Sequence, residues 1–269
     1  MGSRRRLTLA AVLACCLVLA GCNAIGGGEP TPNVTPAPVP DTTPAGVSGD
    51  GLDVDRLADA HRAALLATNY TMEIEERVVI DGRVRRVTTR RREVAQGARA
   101  YAIDRRERTV EFSPSNYAGA TGYWYNGTVE FIRYSNGTTP AYARFESGGS
   151  GPLSDPTEHR TVAGLFAAFA VEGTAPTRRA SGEYVVRRDT LTAPEQIPGT
   201  VYIVAPRNGT LRAVVDERGI VRRYRVTYTG TLAGTERTAR VVRETRVTDV
   251  GTTRVRPPAW VAAARRTVR

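Results

Sequence analysis

The sequence predicts an α+β fold: one large, curved, half-barrel-like antiparallel sheet with two helices packed on its concave apolar face. Three observations carry this. Apolar and polar residues alternate with period two over most of residues 70–247, the turns between the alternating runs are short, and only two segments show helical periodicity. Parallel strands would need long crossovers, which the short turns exclude.

The first helix is predicted from Asp53, a plausible N-cap, to about Thr68, with Val54, Leu57, His61 and Leu65 on one side. His61 falls on that stripe, where a hydrogen-bonded core histidine is expected rather than a ligand. Met72, Ile74, Glu76, Val78 and Ile80 then share one face of a strand, and Asp81-Gly82 turns it into a second strand through Val87. Further strands are expected at Arg99 to Arg105, Thr109 to Phe112, Tyr123 to Tyr125, Val129 to Tyr134 and Ala141 to Phe145.

Asp155-Pro156-Thr157-Glu158 supplies a cap, a first-turn proline and a carboxylate three residues on, so a second helix is expected there. Its stripe is Val162, Leu165, Phe166 and Phe169, and Gly173 is expected to end it. Strands resume at Glu183 to Arg188, Val201 to Val204, Leu211 to Asp216, Ile220 to Tyr228 and Thr238 to Val247. Tyr224, Val226 and Tyr228 share a face opposite Arg223, Arg225 and Thr227, as in a strand with one wet side.

Ahead of the domain lie three segments. Arg4, Arg5 and Arg6 form a basic head, and Leu7 to Leu19 an apolar run that falls short of the about 20 residues a spanning helix needs. A cleaved signal over residues 1–21 is therefore expected. Leu19-Ala20-Gly21-Cys22 resembles the lipobox of bacterial and archaeal lipoproteins, which implies lipid attached to Cys22, and Ser3-Arg4-Arg5-Arg6-Leu7 resembles a twin-arginine export signal.

Cys15 and Cys16 leave with the signal. A lone Cys22 then excludes disulfides and cysteine metal sites in the mature chain. Residues 22–51, with a triple glycine and six prolines from 23 to 50, read as an extended tether, and 52–269 as a single domain.

Five of the seven asparagines, Asn33, Asn69, Asn126, Asn136 and Asn208, stand in Asn-X-Thr acceptor sequences, and an exposed glycosylated surface is expected. Asn126-Gly127, Asn136-Gly137 and Asn208-Gly209 are also favoured type I′ hairpin pairs. Both readings suit a loop tip.

Every one of the 38 basic residues is arginine, and the formal charge is +11. The arginines gather at 83–92 and 218–225, so a sheet face could contact anionic lipid headgroups, an acidic glycan or an acidic protein, or simply be solvated. Export argues against nucleic acid as a partner. Catalysis is not expected: His61 and His159 are the only histidines, and no nucleophile elbow, phosphate loop, dinucleotide fingerprint or metal-ligand spacing appears. No cofactor or metal is expected either.

The run Val214-Val215-Asp216-Glu217-Arg218-Gly219-Ile220-Val221-Arg222-Arg223, with the closing Val250-Gly251 to Pro257-Pro258-Ala259-Trp260, resembles haloarchaeal surface lipoproteins of unknown function. These are similar in layout to LolA and LppX/LprG-type lipoprotein and lipid carriers. The resemblance implies a lipid or other apolar ligand between sheet and helices, with Met72, Ile74, Tyr101, Trp124, Phe131, Leu165, Phe166, Phe169, Tyr224 and Tyr228 as candidate lining residues. Each of them could equally be ordinary core.

Overall fold

A computed structural model describes residues 43–109, 120–135, 139–146, 155–169, 175–198 and 203–268. Strand Val47–Ser48 (β1) pairs with Gly51–Leu52 (β2) in a small hairpin before helix Val54–Leu66 (α1). Gly46 has a φ of +84°, and a Cβ there would lie 2.5 Å from the backbone of Asp53 and Leu57, so glycine lets the hairpin seat on the start of α1. Val47 joins the core, and the folded unit therefore begins some ten residues before Asp53.

Eleven strands form one antiparallel, curved sheet that does not close into a barrel. They are Tyr70–Ile80 (β3), Arg83–Val94 (β4), Tyr101–Thr109 (β5), Ala120–Tyr125 (β6), Val129–Tyr134 (β7), Ala141–Glu146 (β8), Thr177–Arg178 (β9), Tyr184–Arg188 (β10), Ile203–Val215 (β11), Val221–Leu232 (β12) and Thr238–Thr248 (β13). Sequence neighbours pair throughout each half. The halves, β3 to β8 and β9 to β13, meet where β3 pairs with β13.

Helices α1 and His159–Ala168 (α2) pack on the inner face, as the periodicity predicts. Leu57, Ala58, Val162, Leu165, Phe166 and Phe169 meet Val186, Leu211, Ala213, Val226, Tyr228 and Val241 in one large cluster. The end of α1 places Leu65 on a second cluster with Tyr70, Met72, Ile74, Val94, Tyr101 and Ile103. Tyr224, Val226 and Tyr228 point inward together at 1%, 0% and 4% exposure.

The structure departs from the sequence reading in several places. A third helix, Trp260–Thr267 (α3), lies on the opposite, outer face: Val261 and Ala264 cover Trp124, Phe131 and Ala102. Trp260 stacks on Tyr142 at 6.2 Å and lies under the guanidinium of Arg133. Eight residues with few large apolar side chains gave no readable period.

Asn208-Gly209 is not a hairpin tip but a bulge inside β11, where pairing with β12 slips between Arg207 and Thr210. Asn208 takes the left-handed conformation and Gly209 admits the Phe169 ring, which a Cβ would meet at 2.7 Å. The two strands expected at 201–204 and 211–216 are thus one strand. Asp81 and Gly82 both have positive φ, as a type I′ turn requires, and β4 runs on to Val94 rather than stopping at Val87. At Asn126-Gly127 only the glycine is left-handed, and the Asn126 side chain closes the turn by accepting from the Thr128 and Val129 amides. Residues 110–112, Asn136-Gly137 and Gly173 lie outside the described residues.

Gly122 of β6 lies under Trp260, and a Cβ there would come within 3.1 Å of the indole. Gly122→Val is expected to lower stability by about 2 kcal/mol through overpacking. Urea denaturation followed by circular dichroism measures it, and an unchanged midpoint would mean that α3 does not press on this face.

Candidate functional site

All ten candidate lining residues are buried, but not around one space. Leu165, Phe166, Phe169, Tyr224 and Tyr228 belong to the large inner cluster, and Met72, Ile74 and Tyr101 to the second. Trp124 and Phe131 are on the other side of the sheet, stacked with ring centroids 6.1 Å apart beneath α3. Register explains this: Tyr101 pairs with Tyr125 and Ala102 with Trp124, so Trp124 and Tyr101 take opposite faces.

Between the two inner clusters lies a buried polar junction that sequence reading missed. Glu158, expected to complete a capping box, instead sits in the left-handed region (φ 58°) with its carboxylate turned into the sheet. Oε1 accepts from Arg92 at 3.2 Å, and Oε2 from Arg243 at 2.6 Å and from the Tyr224 hydroxyl at 2.9 Å. Arg243 also reaches Glu76 at 3.4 Å. Helix α2 begins at His159, with Glu158 rather than the expected Asp155 at its cap position, and the Asp155 carboxylate accepts from the His159 and Arg160 amides at 2.9 Å each.

The carbonyls of this turn are bound as well. Tyr70 donates to Pro156 O, Arg92 to Asp155 O, and His61 Nε2 lies 2.9 Å from Thr157 O. Since the Val221 amide donates to His61 Nδ1, the ring must be the neutral Nε2–H tautomer.

The register puts a second set of charged residues on the inner face. Arg86, Thr88, Arg90 and Arg92 of β4 stand opposite Val78, Glu76, Ile74 and Met72 of β3. They face Thr109, Glu107, Arg105 and Ile103 of β5 on the other side. Ile74, Glu76, Arg86, Thr88, Arg90 and Arg243 line a small cavity of about 40 Å³. Of the ten apolar candidates, only Ile74 reaches it.

The outer face carries a ladder of ion pairs. Arg91 bonds Glu73 and Glu93, Arg106 bonds Asp104, and Arg223, Arg225 and Arg246 converge on Glu244. An open groove of about 480 Å³ runs along it. The arginine clusters are thus divided between two faces, and the outer share is largely matched by carboxylates on neighbouring strands.

Among the acceptor asparagines, Asn126 is exposed in the β6–β7 turn and Asn208 exposed at the β11 bulge. Asn69 is half-buried, its side-chain oxygen accepting from the Gln96 amide. Cys22, Asn33 and Asn136 lie outside the described residues. Among the described residues no His, Cys, Asp or Glu cluster suits a metal ion.

No family model and no curated protein matches the chain. Similarity to solved structures is distant, as two of them illustrate. One is a LolA superfamily protein from Nitrosomonas europaea, 8% identical, with a TM-score of 0.26 and coverage of 77% of this chain and 96% of that one. The other is a DUF1329 family protein from Desulfovibrio piger, 9% identical, with a TM-score of 0.25 and coverage of 77% and 94%.

The junction makes stability depend on pH in two windows. Burial holds His61 neutral, its pKa lowered to about 4 from 6.5, so between those values only the unfolded chain takes up the proton. Stability fully present above pH 6.5 is lost on acidification to pH 4, by about 3 kcal/mol. Burial alone would raise the Glu158 carboxyl, but Arg243 and Arg92 outweigh it and hold it at about 2, so a further loss follows as pH falls below 4.5. Unfolding free energies measured from pH 7 to 4 should fall in the parent and stay nearly level in His61→Gln. A parallel slope in both would remove His61 as the cause.

Proposed function

We propose that the protein is a lipid-anchored, non-enzymatic binding module on the outer face of the cell membrane, holding an apolar or amphiphilic ligand against the inner face of its open sheet. One observation supports the ligand above all. Ile132, Ala143 and Phe145 share the inner side of β7 and β8, yet they join none of the three described apolar clusters, and Phe145 is 50% exposed. Helices α1 and α2 complete the core over β10 to β13 and over β3 to β5; at the far edge of the same face Ile132 is buried at 8% and Ala143 half-buried, and Phe145 is the ring left exposed. An exposed aromatic ring at the rim of a packed core offers an apolar ligand a contact.

The anchor and the site of action rest on the signal and the Leu19-Ala20-Gly21-Cys22 sequence. Glycans at Asn33, Asn69, Asn126, Asn136 and Asn208 belong to the same reading, since an exported chain meets the transferase. A role as an envelope interaction protein using its arginine face draws on the +11 charge, but pairing of the outer arginines leaves that face with little unmatched field.

Extraction of the chain from membranes in mild detergent, followed by native mass spectrometry, is expected to show a co-purifying apolar ligand, depleted several-fold in Phe145→Asp. A chain that never carries one would remove the ligand reading. Metabolic labelling with a radiolabelled lipid precursor is expected to mark the parent and not Cys22→Ser; equal behaviour of the two would remove the anchor.

A further inference from the structure

The inner-face arginines form a charge arrangement the fold itself does not complete. Among the described residues, Arg86, Arg90, Arg92, Arg105 and Arg243 face inward with the carboxylates Glu76, Glu107, Glu158 and Glu130, and Glu130 is taken by the Tyr101 hydroxyl. The pairings are definite. Glu107 takes Arg105 at 2.6 Å and Arg86 at 3.3 Å, Glu158 takes Arg92 and Arg243, and Glu76 turns to Arg243.

Arg90 is left over. It has Ile74 on one side, Arg105 on the other, and Thr88 and Arg92 next along its own strand face. Among the described residues its guanidinium makes no ion pair and no hydrogen bond. Burial, with Arg92, Arg243 and Arg105 nearby, pulls its pKa down to about 10 despite Glu158. Next to it, Thr88 is 6% exposed, and its hydroxyl oxygen is buried with no partner. A buried hydroxyl left without a bond costs about 1 to 3 kcal/mol unless something completes it.

Both side chains line the cavity of about 40 Å³, together with Arg86 and Arg243. That volume has room for roughly three waters, and so for the oxygens of one small oxyanion. Glu76 also lines it, but its carboxylate is engaged by Arg243 at 3.4 Å.

We propose that this cleft is an oxyanion site: a carboxylate, phosphate or sulfate sits against the Arg90 guanidinium, accepts from the Thr88 hydroxyl and lies beside Arg86. The idea deepens the ligand-binding reading and rests on it for one part. If the oxyanion is the head of an amphiphile, its chain lies toward Ala143 and Phe145 of β8, four strands away, or about 19 Å. The site itself stands on Arg90 and Thr88 alone.

The full chain carrying Cys22→Ser, free of its own lipid, is titrated calorimetrically with sodium phosphate, dodecanoate and dodecanol. Phosphate and dodecanoate are expected to bind saturably, with dodecanoate tighter than dodecanol. Arg90→Gln should weaken both anions about tenfold or more, as loss of a charge-assisted bond implies. Because it removes a half-buried cation with no ion-pair partner, Arg90→Gln should also be at least as stable in urea as the parent, which separates loss of binding from loss of folding. Arg91→Gln, on the outer face, should leave binding unchanged. If Arg90→Gln leaves anion binding unmoved, or no anion binds, the oxyanion site is overturned; binding of dodecanol in that case still upholds the apolar ligand. If phosphate alone binds and Arg90→Gln weakens it, the site stands and the apolar reading falls.

Discussion

The fold is organised around one buried carboxylate. Glu158 belongs to the turn that starts α2, but its bonds are to β4, β12 and β13, so the helix is fixed to three strands through a single side chain. Taking a carboxylate out of water costs several kcal/mol, and a non-glycine residue held at positive φ costs about 1 to 3 more. Two guanidinium groups and a phenol offset that only in one geometry. A shift of α2 by one turn would leave Arg92 without its carboxylate and Arg243 with Glu76 alone. The contact therefore does less to raise stability than to single out one arrangement of helix on sheet. His61 reinforces it from α1, since one ring nitrogen binds the Thr157 carbonyl and the other the Val221 amide.

Elements whose signals are local were legible in the sequence. Asp53 caps α1 by accepting from the Arg56 amide, the apolar stripe of α1 is buried as spaced, and Asp81-Gly82 makes the turn its residues favour. Where tertiary partners decide, the sequence was silent. Asn208-Gly209 has the composition of a hairpin tip, but β12 continues unbroken beside it and the Phe169 ring presses on the glycine, so the pair is absorbed as a bulge. Glu158 matched a capping box, yet Arg92 and Arg243 compete for its carboxylate more strongly than a backbone amide could. The short α3 has too few large apolar residues to show a period, although its Val261 and Ala264 cover the aromatic residues that register places on the outer face.

The arginines were the least readable feature. In Arg83–Val94 basic and hydroxyl residues occupy both alternating sets, so composition alone cannot say which face is wet. Register decides it: Arg91 meets carboxylates in solvent, while Arg86, Arg90 and Arg92 turn toward the helices. The inner face thus combines a packed core, one exposed aromatic ring at its edge, Phe145, and a cation, Arg90, with no ion-pair partner among the described residues.

The joint between the two meanders has a consequence for how the molecule is made. Every other strand pairs with a chain neighbour, but β3 waits for β13, some 160 residues later. A ribosome must therefore deliver nearly the whole polypeptide before the middle of the sheet can form. Until then Tyr70–Ile80 presents a bare edge of amide and carbonyl groups, the kind of surface to which other chains add strands. Closing so long a loop is also entropically slow. The last third of the protein thus acts as the clasp for the first, and a truncation that spares every inner-face residue of β3 to β8 would still leave that half unsealed.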